Sequence, residues 1–203
     1  MAPARLRRLN RWLVEGLRED LVALYVESPA SAPGDPYRRP GRQNFLNRLT
    51  VDIRRPGFAM VIAETDSLRG CAFGFPVGGD GSWWLGFDGA LPRSIEQLTV
   101  SGSVFAFADI LIRPHPQDWE VARRVQERLL TDHQASLGVT LVDRADRQAL
   151  AALRSWGWLD IGELRRPAGA TTYRALVLPL GERTTARLEG LVTMPGGGGP
   201  GGA

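Results

Sequence analysis

Three carboxylates, Asp109, Asp118 and Glu120, flank a junction where the chain switches from an apolar run to a helically spaced polar one, within the stretch from Ser103 to Ala135. Val104, Phe105, Phe107, Ile110, Leu111 and Ile112 make its first part a strand, which Arg113-Pro114 stops. After His115-Pro116-Gln117, apolar Ala122, Val125 and Leu129 recur at helical spacing among Arg123, Arg124, Glu127 and Arg128, which predicts a helix. A strand feeding a helix N-terminus presents unpaired backbone N–H groups and the positive end of the helix dipole, a site suited to phosphate. Asp118 and Glu120 stand in that first turn, where acidic side chains stabilise the helix and compete for the same field. Strand alternation puts Asp109 on one face with Phe105 and Phe107, and burial beside aromatics raises a carboxyl pKa toward the range of a general base. Glu64, at the end of another apolar run, is the second such candidate; an Asp109 held in a purely structural role is the alternative.

Other chemistries are excluded by composition. All 25 basic residues are arginine, so neither Schiff-base chemistry through lysine nor a phosphate-loop lysine is available. Cys71 is the single cysteine, and with His115 and His133 it falls short of any zinc pattern, so neither a disulfide nor a structural metal is expected. A net charge of +3 argues against a nucleic-acid partner. Charged residues interrupt every apolar run before it reaches a membrane span, and no signal peptide stands at the front, so the expected location is cytoplasmic.

These residues need elements to position them. The 203 residues, 43% of them apolar, suit one domain. Leu6, Leu9, Leu13, Leu17, Leu21 and Leu24 predict an amphipathic helix from Ala4 to Val26, broken near Gly16, and Gln43 to Arg54 a second helix. Between them Ser28 to Gly41 reads as a mobile loop. Phe58 to Ala63 and Arg69 to Val77 form a hairpin. The connection from Gly78 to Gly102 carries Trp83, Trp84, Phe87 and a helical piece near Ile95 to Leu98; it reads either as a lid or protein-partner face or as a strip packed on its own domain. Gly138 to Val142 is a strand, Asp146 to Trp156 a helix ended by Gly157, and Trp158 to Leu164 and Tyr173 to Leu180 the last strands. The domain is expected to span 1–180, with N-terminal helices in 1–57 and a disordered glycine-rich tail at 181–203.

Ile110-Leu111-Ile112-Arg113-Pro114 followed by Gln117-Asp118-Trp119-Glu120-Val121-Ala122 resembles the acetyl-coenzyme A motif of the Gcn5-related N-acetyltransferases (GNAT). That motif is a strand of hydrophobic-x-hydrophobic-x-Pro, then Gln/Arg-x-x-Gly-x-Gly/Ala opening a helix. Ser155 to Gly162 are similar to a helix end of the family and Leu176 to Leu180 to its common last strand. The resemblance covers roughly Leu21 to Leu180 and implies an α/β (α+β) fold, a central mixed twisted sheet flanked by helices. It implies acetyl-CoA as acyl donor, held by the backbone of Ile110, Leu111 and Ile112 and by Asp118, Trp119, Glu120, Val121, Ala122 and Arg123 at the helix start. It also implies transfer of the acyl group to an amine of a small molecule or peptide, with Asp109 at a position where some relatives carry a catalytic Glu. The chain departs from the pattern at Glu120, which replaces the first motif glycine, and at Leu153, where many members carry a tyrosine. The alternative function is a GNAT-fold binding or regulatory protein that has lost coenzyme use.

Overall fold

In a computed structural model the described residues are 4–28, 41–115, 118–167, 171–181 and 184, with the side chain of Asp118 excluded. The expected loop after Ser28 and the expected tail fall largely outside them.

The N-terminus departs from expectation. Arg5–Leu9 is a strand (β1), and helix starts only at Arg11–Glu15 (α1), because Asn10 caps it by accepting from the amides of Trp12 and Leu13. The leucine spacing fits a helix, yet Ala4 to Leu9 finds an open sheet edge: Leu9 pairs with Met60 and Arg5 with Glu64, in an antiparallel ladder. Next come α2 (Arg18–Glu27), α3 (Arg42–Asp52), β2 (Ala59–Glu64) and β3 (Leu68–Pro76). A short 3-10 turn at Ser82–Trp84 and α4 (Arg93–Val100) follow, then β4 (Val104–Ile112) and α5 (Asp118–Asp132). β5 (Leu137–Asp143), α6 (Arg147–Ser155), β6 (Leu159–Arg165) and β7 (Thr172–Pro179) complete the order.

The seven strands form one mixed sheet in the order β1-β2-β3-β4-β5-β7-β6. One face carries α5 and α6, with Ala122, Val125, Leu129, Leu150 and Leu153 packed on Phe105, Phe107, Ile110 and Ile112. The other face is covered in two parts. Helices α1 to α3 pack Leu21, Leu24, Phe45 and Leu49 on Met60, Ile62, Cys71, Phe73 and Leu111. The 78–102 connection packs Trp84 and Ile95 on Val104, Ala106, Leu137, Ala175 and Val177.

That connection is a strap over its own domain. Trp84 is buried and donates its indole N–H to Thr99 Oγ1 (2.9 Å), so of the tryptophan pair only the half-buried Trp83 reaches the surface. Phe87 bridges to Leu164, Asp88 N–H donates to the Glu163 carbonyl, and Arg165 N–H to that of Gly86. Gly86 has φ +87°, and a Cβ there would lie 1.8 Å from the Arg165 carbonyl oxygen, so the close approach requires glycine.

Candidate functional site

The central pair of strands comes apart. β4 and β5 are parallel and share only Val104↔Leu137, Phe105↔Gly138 and Ala106↔Val139, after which β4 runs on without β5. Thr140 Oγ1 donates to the Phe107 carbonyl (3.1 Å), closing the last link before the gap. On its other side β4 pairs with β3, and the register slips there: Phe73 opposes Asp109 while Gly74 opposes Phe107, so Ala108 is an extra residue. Gly74 makes the bulge possible, since a Cβ would lie 1.9 Å from the Ala106 carbonyl oxygen.

The bulge corrects one expectation. Simple alternation puts Asp109 with Phe105 and Phe107, but one extra residue inverts the parity beyond it. Phe105, Phe107, Ile110 and Ile112 face α5, while Asp109, opposite Phe73, and Leu111, opposite Cys71, face the α2/α3 layer. There the Arg48 guanidinium of α3 stands 3.5 Å from Asp109 Oδ2, and the Asp109 side chain is 19% exposed. Burial pushes the Asp109 carboxyl up to about 6 against the pull of Arg48, and the neighbouring Asp52 adds to the rise. Burial likewise pushes the Cys71 thiol far above its ordinary range, with the charge of Asp109 second, which leaves no reactive thiolate. Glu64 lies elsewhere, at the far end of β2, 3.3 Å from Arg7 Nε of the edge strand.

The edge of β4 that faces the gap is partly taken. Arg113 N–H donates to the Arg69 carbonyl on β3 (2.9 Å), so the N–H of Ile112, one residue back, points the opposite way, into the gap. Ser28 Oγ accepts it at 3.0 Å. Ser28 follows the last residue of α2, closes that helix by donating its N–H to the Leu24 carbonyl, and is fully buried. Glu27 Oε2, beside it, stands 2.9 Å from Arg113 Nε, outside hydrogen-bond geometry. The end of α2 thus occupies the gap at Ile112, whereas Ser28 was expected in a mobile loop.

At the start of α5, Trp119 is 52% exposed, Glu120 and Val121 are half-buried, Ala122 is buried and Arg123 is exposed, paired at 2.9 Å with Glu127. Of the residues expected at the coenzyme, Ile110 to Ile112 form the β4 edge and Trp119 to Arg123 the first turns of the helix that follows. Leu153 is core, and Asp146 caps α6 by accepting from Ala149 N–H (2.9 Å). Arg48 and Ser28 were missed from sequence. The signal for Arg48 lay in the spacing of Arg48, Asp52 and Arg55, which recur at i, i+4 and i+7; Ser28 carried none, since its partner is 84 residues away.

No family model matches the sequence, and no curated protein matches it. Solved structures do match. An aminoglycoside 6'-acetyltransferase type Ii aligns at 10% identity and a TM-score of 0.52, covering 86% of this chain and 96% of its own. A chimera of spermidine N-acetyltransferase SpeG from Vibrio cholerae and hSSAT aligns at 13% identity and TM-score 0.51, over 93% and 99% of the two chains. A GNAT-family structure from Desulfovibrio desulfuricans aligns at 14% and 0.50, over 87% and 98%. At such identities likeness speaks for architecture alone, and the chain has the fold of the Gcn5-related N-acetyltransferases.

Proposed function

We propose that the protein is an N-acyltransferase that moves an acyl group from acyl-coenzyme A to an amine. The observation that carries this reading is the position of Asp109: a largely buried carboxyl pushed up to about 6, one residue past a bulge and three past the point where β4 and β5 part. Near neutral pH such a carboxylate is ionised yet basic enough to accept a proton from an ammonium or an attacking amine. The free amine then attacks the thioester carbonyl, the C–N bond forms as the C–S bond breaks, and the thiolate leaves. Backbone N–H groups of β4 at the gap are suited to hold the oxyanion.

The donor, acetyl-CoA by resemblance, would lie against Ile110, Leu111 and Ile112, with its pyrophosphate at the first turn of α5 from Asp118 to Arg123. When bound it supplies an activated acyl group. The parted strands fit an extended chain beside β4, and at Ile112 that chain would have to displace Ser28 Oγ. This contact and Glu120 favour the second reading, a binding or regulatory protein of the same fold without coenzyme use. Calorimetric titration with acetyl-CoA separates the two, since absence of heat at millimolar coenzyme would leave only the second. If the first is right, single-turnover acetylation rises with pH through about 6 and then levels off. Asp109→Asn should lower the plateau about a hundredfold or more and remove that inflection.

A further inference from the structure

Arg48, Asp52 and Arg55 share one face of α3 and the turn after it. Arg48 reaches Asp109, while Arg55 Nε stands 3.2 Å from Asp52 Oδ1 and its guanidinium lies 4.3 Å from the centre of the Phe75 ring. Phe75 is two residues along β3 from Phe73, the cross-strand partner of Asp109, so the ring under Arg55 belongs to a residue roughly 7 Å along the strand from the one that faces Asp109. From Arg55 a cleft of about 700 Å³ opens outward between the α1 start and the turn before β2, with Arg8, Arg11 and Arg54 also in its wall and no acidic residue among the described residues that line it. Trp12 stands at its lip, 71% exposed, with the Arg11 guanidinium 4.6 Å over the ring. Toward the strap, Arg166 feels the positive charge of Arg55, and it donates to the Trp83 carbonyl. Arg8, Arg11, Arg54 and Arg55 line one small-molecule-sized cleft, and on its α3 side the guanidinium groups of Arg54 and Arg55 suit carboxylate or phosphate oxygens and disfavour a polycation.

We infer that this cleft binds the anionic end of the acceptor: the amine offered to Asp109 belongs to a small molecule that also carries a carboxylate or a phosphate, held by Arg55 and Arg54. The inference rests on the acyltransferase reading for the word acceptor, and on the cleft alone for the anion.

The test is equilibrium titration of the full chain, without coenzyme, with an aspartyl-glutamate dipeptide, 3-aminopropyl phosphate, an asparaginyl-glutamine amide that carries the amine but no anionic group, and spermidine. The two anions should bind at least about tenfold more tightly than the other two, and more weakly at high salt. Their ranking distinguishes carboxylate from phosphate. Arg54→Gln with Arg55→Gln should reduce anion binding about tenfold or more, and Arg54→Gln alone, at an exposed position, should reduce it with the fold intact. Equal binding of the amide without an anionic group or of spermidine, or anion binding indifferent to both variants, overturns the inference. Acetylation assays with the same amines keep the two readings apart. Arginine-dependent anion binding without transfer to any amine upholds the cleft and removes the acyltransferase; transfer that does not favour anionic amines does the reverse.

Discussion

Asp109 is in tension with the fold that surrounds it. Its carboxyl is pushed up to about 6 in the folded chain, from an ordinary value near 4, chiefly because burial disfavours the ionised form. For an acid with a raised folded pKa, the native state binds more protons than the unfolded state between those values. Stability from this group is therefore fully present below about pH 4, falls as pH rises toward 6, and stays lower above it. The shift corresponds to roughly 3 kcal/mol. Asp109→Asn should accordingly raise stability at pH 8 by about 1 to 3 kcal/mol, while the released Arg48, 51% exposed, keeps its hydration. Urea midpoints of both proteins at pH 5 and 8 measure this. A variant-minus-wild-type difference that is the same at both values would show that the ionised carboxylate is not disfavoured at this site. The aspartate itself was legible in the sequence; its face was not, because one uncounted bulge residue reverses every side chain beyond it.

At the level of elements, β2 to β7 and helices α3, α5 and α6 fall close to where periodicity puts them, since each buries a stripe or face of its own. The first strand does not. Its leucines fit a helical stripe equally well, and what decides between the two is the free edge of β2, about 50 residues away in sequence, which no local pattern reports. The strap is a similar case, because Gly86 and Trp84 act through β6 and α4. Gly86→Ala should cost more than about 2 kcal/mol, from the positive φ and the clash with Arg165 together. Gly81→Ala, at φ +74° in open space, should cost only about 1 to 2 kcal/mol. Thermal unfolding ranks the two, and hydrogen exchange at the amides of Asp88 and Arg165 should accelerate only in the Gly86 variant. Equal losses would mean that the strap does not depend on its close approach to β6.

Across the whole molecule, the sheet is two smaller sheets, β1 to β4 and β5 to β7, joined by three residue pairs and a threonine clasp. The end of α2 reaches the gap at Ile112. The family motif pointed to Ile110 to Ile112 from sequence, whereas the contact at that edge, from residue 28 to residue 112, depended on the packing of the whole chain. Its consequence is a linkage between stability and coenzyme. Ser28→Ala leaves the buried Ile112 N–H without its acceptor, at about 1 to 2 kcal/mol, so the free protein should melt about 2 to 8 °C lower. If an acyl-coenzyme A pairs with this edge of β4, the variant no longer has to give up that bond on binding. Its affinity should then rise about five- to thirtyfold. Melting curves over a concentration series of acetyl-CoA read both effects, because a ligand that binds only the folded state raises the midpoint by an amount set by its concentration over Kd. The variant curve should start below wild type and approach it as coenzyme increases. Should it stay parallel to wild type at every concentration, coenzyme binds without using the Ile112 edge, and Ser28 is simply the cap of α2.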